Sequence, residues 1–341
     1  MEVLLFIFPL LSFLLFQFFN QKIRFEILYV FNIFLFGLSF LLSLYIFMKI
    51  LNLDKDLPLF FYNLIKLENL FIDWKLRFDL LVSGLIVLVT FIGLLITVYS
   101  INLSKNNVIN FQINSYLSLS IFGLLVLITS NNLIQFFFGW YIIILSSYFI
   151  SNISEDKVDK RNVFFVNRIS DLCFFLSLYF IYTFSNSINF YIIFKSFQII
   201  ESKITILNIT FSSFQIVIFI LIFSFLLRFR QFYISDSRYD LLKFNSSLYS
   251  LILYGLYFPV GLYFILRFLT LTHTSLDYSH VILIIGSILS FIFLFLLFRL
   301  YNLKKLFLYI ASAQFSILLI AVGLKLYNAV VFHFLHQQYL C

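Results

Sequence analysis

The stretch FFFGWYIIILSSYFIS, residues 136–151, carries no charge, and its one glycine, Gly139, stands beside Trp140 and Tyr141. A helix needs about 20 predominantly apolar residues to cross the hydrocarbon of a bilayer, and this stretch with Leu133 and Ile134 before it approaches that length. Lipid offers no partner to open backbone, so such a run must close its own hydrogen bonds as a helix. It lacks the alternation of a barrel strand. The reading decides the class of the whole chain, because similar runs recur along it.

The 341 residues are 62% hydrophobic and 11% charged, with a mean hydropathy of +1.05, far from a water-soluble composition. Candidate spans fall at 2–20, 25–52, 79–103, 113–132, 134–153, 162–185, 210–240, 247–267, 280–298, 306–324 and from 326 onward. They make about eleven helices of membrane-crossing length, the seventh interrupted. The fold class is an all-α polytopic membrane protein. The first run, 3–19, has neither the basic leader nor the small-residue cleavage site of a secretory signal and reads as a retained helix. The polar connection at 53–77 mixes charges with aromatic residues, which predicts a short hairpin on the membrane surface.

The chain holds 51 Phe and 21 Tyr against 9 Gly and 3 Pro. With Ile, Leu, Asn and Lys crowding the rest, this is the signature of a coding sequence biased toward A and T, as in small organellar genomes. The net charge of +8 would suit nucleic acid, but the basic residues lie at helix ends and not in one stripe. Anionic lipid headgroups account for them, and no nucleic-acid partner is expected. Lys22, Arg24, Lys105, Lys157, Lys160 and Arg161 gather on one side with the later loop ends that alternate with them, a weak inner-side bias. Cys173 and Cys341 give neither a disulfide framework nor metal-ligand spacing. No phosphate loop, nucleophile elbow, metalloprotease helix or haem attachment sequence is present. The activity is therefore transport, or a share of a larger assembly's work.

A charge near the bilayer centre costs at least about 2.5 kcal/mol, so ionisable residues inside the spans are the informative ones. In VNRISDLC, Arg168 and Asp171 stand three apart on one helix face. The plainer reading is a self-neutralising structural ion pair. The functional one makes Asp171 the acidic partner of a base on a neighbouring helix, tuning its proton affinity. In LLRFRQFYISDSRYDLLKFNSS, Arg228 and Arg230 follow an apolar run directly, and charges then continue to Lys243. A helix broken here would free backbone groups able to hold water or ions, whereas an interfacial loop with snorkelling arginines is the alternative. Near the end, His333 and His336 are three apart and titrate in the neutral range. They have no further ligand cluster nearby, so a metal is not expected.

Taken in order, these landmarks resemble subunit 5 of NADH dehydrogenase, the distal antiporter-like subunit of mitochondrial complex I. FIDWKLRFDLL resembles the entry to that family's third helix. NNLIQFFFGW with Ser146-Ser147-Tyr148 is similar to N-x-L-Q-L-F-V-G-W-E followed by C-S-Y. VNRISD stands for V-N-R-V-G-D, the segment from Arg228 to Arg267 is similar to the broken seventh and the eighth helices, and KKLFLYIASAQFS resembles K-K-x-x-A-Y-S-T-x-S-Q-L-G. The resemblance implies a division into 1–78, N-terminal helices with an extramembrane hairpin, and 79–341, an antiporter-like bundle that stops within its last helix. It also implies a second chain completing the subunit, other membrane-arm subunits as partners, the mitochondrial inner membrane, no cofactor in this chain, and bound phospholipid such as cardiolipin.

The family's proton path offers Asp171, Arg228, Lys305 and His333 as candidates here. Its acidic residue after Gly-Trp is replaced by Tyr141, its basic residue on the broken helix by Arg228, its eighth-helix relay by Leu253, and a buried Lys by Cys341. Arg228 keeps the charge but not the titration, since an arginine is always protonated. The resemblance therefore implies a membrane-arm subunit of the proton-pumping NADH:ubiquinone oxidoreductase with an eroded path. Its alternatives are a structural subunit of the same complex without translocation, and a free-standing cation/proton antiporter, which would need the titratable pair.

Overall fold

The computed structural model describes residues 2–19, 25–53, 57–67, 70–104, 108–153, 160–196, 203–206, 209–228, 263, 267, 276–298, 303–326, 329–330 and 332. The chain folds as two units, Met1–Glu155 and Asp156–Cys341.

The first unit contains α1 (Leu4–Phe19), α2 (Phe25–Leu53), a hairpin of β1 (Leu57–Leu67) and β2 (Leu70–Phe78), α3 (Leu80–Ser104), α4 (Val108–Ile128) and α5 (Leu133–Ile153). Its centre is α4, which packs against α1, α3 and α5. From Leu124 to Ser130 every residue is buried, as expected of a helix apolar or small on all sides.

Backbone approach sets the α4–α5 crossing. A Cβ placed on Gly139 would lie 2.6 Å from Leu127 N and 2.8 Å from Gly123 O, both backbone atoms that cannot turn away. Small residues at such crossings replace the hydrophobic drive that lipid removes. Tyr116 and Phe149 stack further along the same antiparallel pair, ring centroids 5.1 Å apart.

On α2 and α3, buried Ser39, Ser43, Ser83, Thr90, Thr97 and Ser100 carry the polar atoms of the interface. Their hydroxyls donate back to carbonyls of their own helices, as in Thr90 to Ile86 O at 2.9 Å and Ser100 to Thr97 O at 2.7 Å. The Ser43 and Thr90 hydroxyls meet across the pair at 2.9 Å.

The hairpin expected in 53–77 forms, and its second strand is fastened to the α4–α5 turn. Arg77 N donates to Thr129 O at 2.9 Å, Leu76 bridges Ser130, and Asn132 Nδ2 donates to Asp73 O at 2.6 Å. Asp79 caps α3, its Oδ1 accepting from Val82 N at 2.9 Å.

The second unit contains α6 (Lys160–Ser185), α7 (Phe190–Ser196), a hairpin of β3 (Lys203–Ile206) and β4 (Ile209–Ser212), α8 (Ser213–Arg228), α9 (Leu276–Leu297) and α10 (Leu303–Gly323). Asn186 ends α6 in the left-handed region, φ 49°, a conformation that asparagine tolerates better than most side chains. Here α6 packs on α8, and α9 on α10. Gly286 and Gly323 let α9 and α10 close to backbone contact, at Ile320 N and Leu283 Cα.

The architecture is mostly helical, as the hydropathy predicts, with α7 and the β3–β4 hairpin as additions within what read as one connection. Three described helices, Ile27–Asn52, Leu80–Ser100 and Leu133–Ile150, are long and apolar enough to cross a membrane. Shorter apolar helices lie at Leu4–Phe18, Gln112–Ile128, Ile282–Leu297 and Ser312–Gly323. The second half of the interrupted span, most of 247–267 and most of the span from 326 onward lie outside the described residues.

Two outcomes test this packing. Gly139→Ala should lower stability by about 1–3 kcal/mol, the usual cost of overpacking. Gly37→Ala meets only Leu94 Cδ1 at 3.9 Å and should leave thermal unfolding of the solubilised protein nearly unchanged. Equal effects would show that the α4–α5 crossing is not tight.

At the end of α1, Glu2 and Lys49 lie 3.2 Å apart. The carboxyl of Glu2 is held below its ordinary value, first by its own backbone N–H and then by Lys49, against an opposing contribution from burial. A carboxylate lowered on folding stabilises above its unfolded pKa of about 4.3 and loses that contribution as pH falls through the folded value. Proteolysis of the α1–α2 end should therefore accelerate below about pH 4. Glu2→Gln should remove this dependence while costing no more than about 1 kcal/mol at pH 7, since the pair is partly exposed.

Candidate buried charge site on α6 and α8

The sequence VNRISDLC lies within α6, and helical spacing places Arg168 and Asp171 one turn apart. Arg168 Nη2 is 3.3 Å from Asp171 Oδ2. Asp171 is 5% exposed, while the Arg168 side chain is 40% exposed. The arginine side chain is thus partly open while the carboxylate is enclosed. Pairing offsets much of what either charge would cost alone in this setting.

Between them stands Ser170, fully buried, whose Oγ donates to Ser224 O on α8 at 2.8 Å. The resemblance has glycine at this position, so the serine adds a side-chain tie between the helices. Sequence reasoning passed over it. The signal was its place in the Ile-Ser-Asp of the motif, where any polar atom beside a buried carboxylate must itself find a partner.

On α8, Val217, Leu221 and Ser224 form the buried stripe. Position 228 follows Ser224 by four and is the last residue of the helix. The fold therefore brings the α6 segment carrying Asp171 alongside the turn of α8 that precedes Arg228.

In the first unit, Gly139 faces α4, Trp140 is buried and Tyr141 turns outward. It is 38% exposed, with its ring 6.2 Å from that of Phe137. The hydroxyls of Ser146 and Ser147 both turn back to their own helix, at 2.8 Å from Ile143 O and Ile144 O. Lys305 lies in the first turn of α10, and Tyr309 of the same motif meets Phe293 edge to face, centroids 6.5 Å apart. Arg267 sits over the ring of Phe190, 5.9 Å from its centroid. His333, His336, Leu253 and Cys341 lie outside the described residues. Among the described residues, no group of three or more His, Cys, Asp or Glu could hold a metal ion.

Long apolar helices, with a charged pair kept within one helix and another that ends in arginine, define a polytopic membrane protein. A family model described as "NADH:quinone oxidoreductase/Mrp antiporter, TM" matches residues 130–340, and one described as "NADH-Ubiquinone oxidoreductase (complex I), chain 5 N-terminus" matches 64–102. The first covers more than half of the chain, which therefore belongs to the NADH:quinone oxidoreductase/Mrp antiporter transmembrane family.

The chain is similar to the NADH-ubiquinone oxidoreductase chain 5 of Chondrus crispus, 24% identical over 306 residues that cover 88% of this chain and 46% of the relative. Over 150 residues it is 33% identical to the Acanthamoeba castellanii chain 5, covering 43% of this chain and 22% of that one. The NADH-quinone oxidoreductase subunit L of Rickettsia typhi is 24% identical over 337 residues, 98% of this chain and 51% of the relative. The chain thus spans about half the length of the curated relatives that it matches most fully. A chain in the structure of the archaeal membrane-bound sulfane sulfur reductase, a respiratory membrane complex, shares the fold. Its TM-score is 0.76 at 15% identity, covering 98% of this chain and 68% of that one.

Removing Asp171 takes away the carboxylate 3.3 Å from Arg168. Asp171→Leu should therefore destabilise by about 1–3 kcal/mol, less than a fully buried pair because Arg168 is partly exposed. The double variant Arg168→Met with Asp171→Leu should recover most of that loss. Thermal unfolding of the four-member cycle measures this, and a double variant as unstable as the sum of the singles would overturn it.

Proposed function

We propose that the chain is an antiporter-like membrane-arm subunit of the proton-translocating NADH:ubiquinone oxidoreductase of the mitochondrial inner membrane. The observation that carries this reading is the family match over 130–340, with the VNRISD carboxylate buried and paired inside a helix of that region. Its partners on this reading are the other membrane-arm subunits, a second chain supplying the rest of the subunit, and phospholipid such as cardiolipin. Its contribution is coupling and proton movement, with electron transfer carried elsewhere in the assembly.

The proton path within this chain is altered. Tyr141 puts a phenol where the resemblance has a carboxylate, and Arg228 holds charge without releasing a proton. We assign Asp171 and Arg228 to a structural ion pair across α6 and α8 that replaces the lost acid and base. The Ser170–Ser224 bond and the helical register of position 228 support it. Lys305 and His333 remain as titratable candidates further along the chain. The same substitutions favour a second reading, a subunit of the complex that supports assembly without conducting protons itself.

The test is native electrophoresis of mildly solubilised inner membranes, with tagged chain and in-gel NADH dehydrogenase activity followed together. Co-migration is expected, and a tagged chain that runs apart from the activity would overturn the assignment. In an experimental map of that complex, the charged groups of Asp171 and Arg228 should lie within direct or water-bridged reach. A gap above about 6 Å with no bridging water would overturn the pair.

A further inference from the structure

Ser12, Tyr29, Asn32 and Asn114, from α1, α2 and α4, are polar side chains inside the first unit, none more than 4% exposed. Ser12 Oγ donates to Asn32 Oδ1 at 2.5 Å, and Asn114 Nδ2 donates to Tyr29 Oη at 3.0 Å. Tyr29 and Asn32 stand three apart on α2 and so project from one face. The nearest apolar cluster, Phe16, Leu28 and Leu15 around Tyr29, offers no polar group.

After these two bonds, Asn32 Nδ2 and Asn114 Oδ1 are both shielded from solvent and lack a hydrogen-bond partner in the protein. Turning the amides does not cure the deficit. With Asn32 reversed, its nitrogen would donate to Ser12 and its oxygen would be left over. With Asn114 reversed, its oxygen would accept from Tyr29 and its nitrogen would be left over. Each amide brings two N–H donors and an acceptor, so one end of each stays unsatisfied in either orientation. Buried polar groups left in this way are normally met by internal water.

We infer that the junction of α1, α2 and α4 is a binding site for ordered internal water, held by the side-chain amides of Asn32 and Asn114. Whichever way each amide is turned it leaves a donor or an acceptor over, and water can meet either need. None of the four side chains carries a charge, so an ion would keep its full charge in an apolar setting. Both asparagines lie outside the segments that the family models match, and the site does not depend on the function proposed above. Its consequence is a hydrated polar joint that fixes the rotation of α2 against α1 and α4 inside an apolar bundle.

The test is an electron cryo-microscopy map of the intact native complex, at a resolution that separates ordered water. Density within about 2.6–3.2 Å of the amide of Asn32 and of Asn114 is expected. A map that shows ordered water elsewhere but none here, or that pairs both amides fully with protein groups, overturns the proposal. In an Asn32→Leu, Asn114→Leu double variant the density should disappear. Its persistence would show that other groups hold it and would also overturn the assignment. If the double variant does not assemble, the wild-type map decides alone.

Discussion

Lipid supplies no hydrogen bonds, and nearly every polar feature of this chain follows from that. The hydroxyls of Ser39, Ser100, Ser118, Ser146, Ser177 and Ser316 all turn back to a carbonyl one turn earlier on their own helix. A helix satisfied in this way can present serine to a neighbour at no polar cost, and the small side chain then permits close approach. The glycine contacts at α4–α5 and α9–α10 are the limiting case, with no side chain left between the backbones.

The charged groups obey the same rule by other means. In strand β2 and at the start of α3 they find partners close by in sequence, as Arg77 does with Asp79 at 3.6 Å and Lys75 with Asp73 at 2.7 Å. Inside α6 the carboxylate of Asp171 takes its counter-charge from its own helix. A pair built within one element keeps opposite charges one turn apart whatever its neighbours are.

The helices and their class were legible in the sequence because hydropathy is a local property: the runs expected at 25–52, 79–103 and 134–153 lie within a few residues of α2, α3 and α5. The hairpin at 53–77 was legible for the same reason, its charges and aromatics marking a border. Ser170, the tie to α8, and Asn132, the tie to the hairpin, were not. Each binds a residue more than fifty positions away in the chain, and nothing in its own neighbourhood says which. Gly139 was visible as part of a motif, but its reason, backbone contact with Leu127 and Gly123, was not.

The sequence alone determined that this is a bundle of membrane helices, in one of which Arg168 and Asp171 share a face, since length, apolarity and i, i+3 spacing act within a single element. Only the tertiary structure decided how each helix is rotated, and so which polar atoms meet: Ser12 with Asn32, Asn114 with Tyr29, Ser43 with Thr90. The physical reason is that a membrane helix is apolar on its lipid side as well as on its packed side. It therefore carries no stripe from which the inward face could be read.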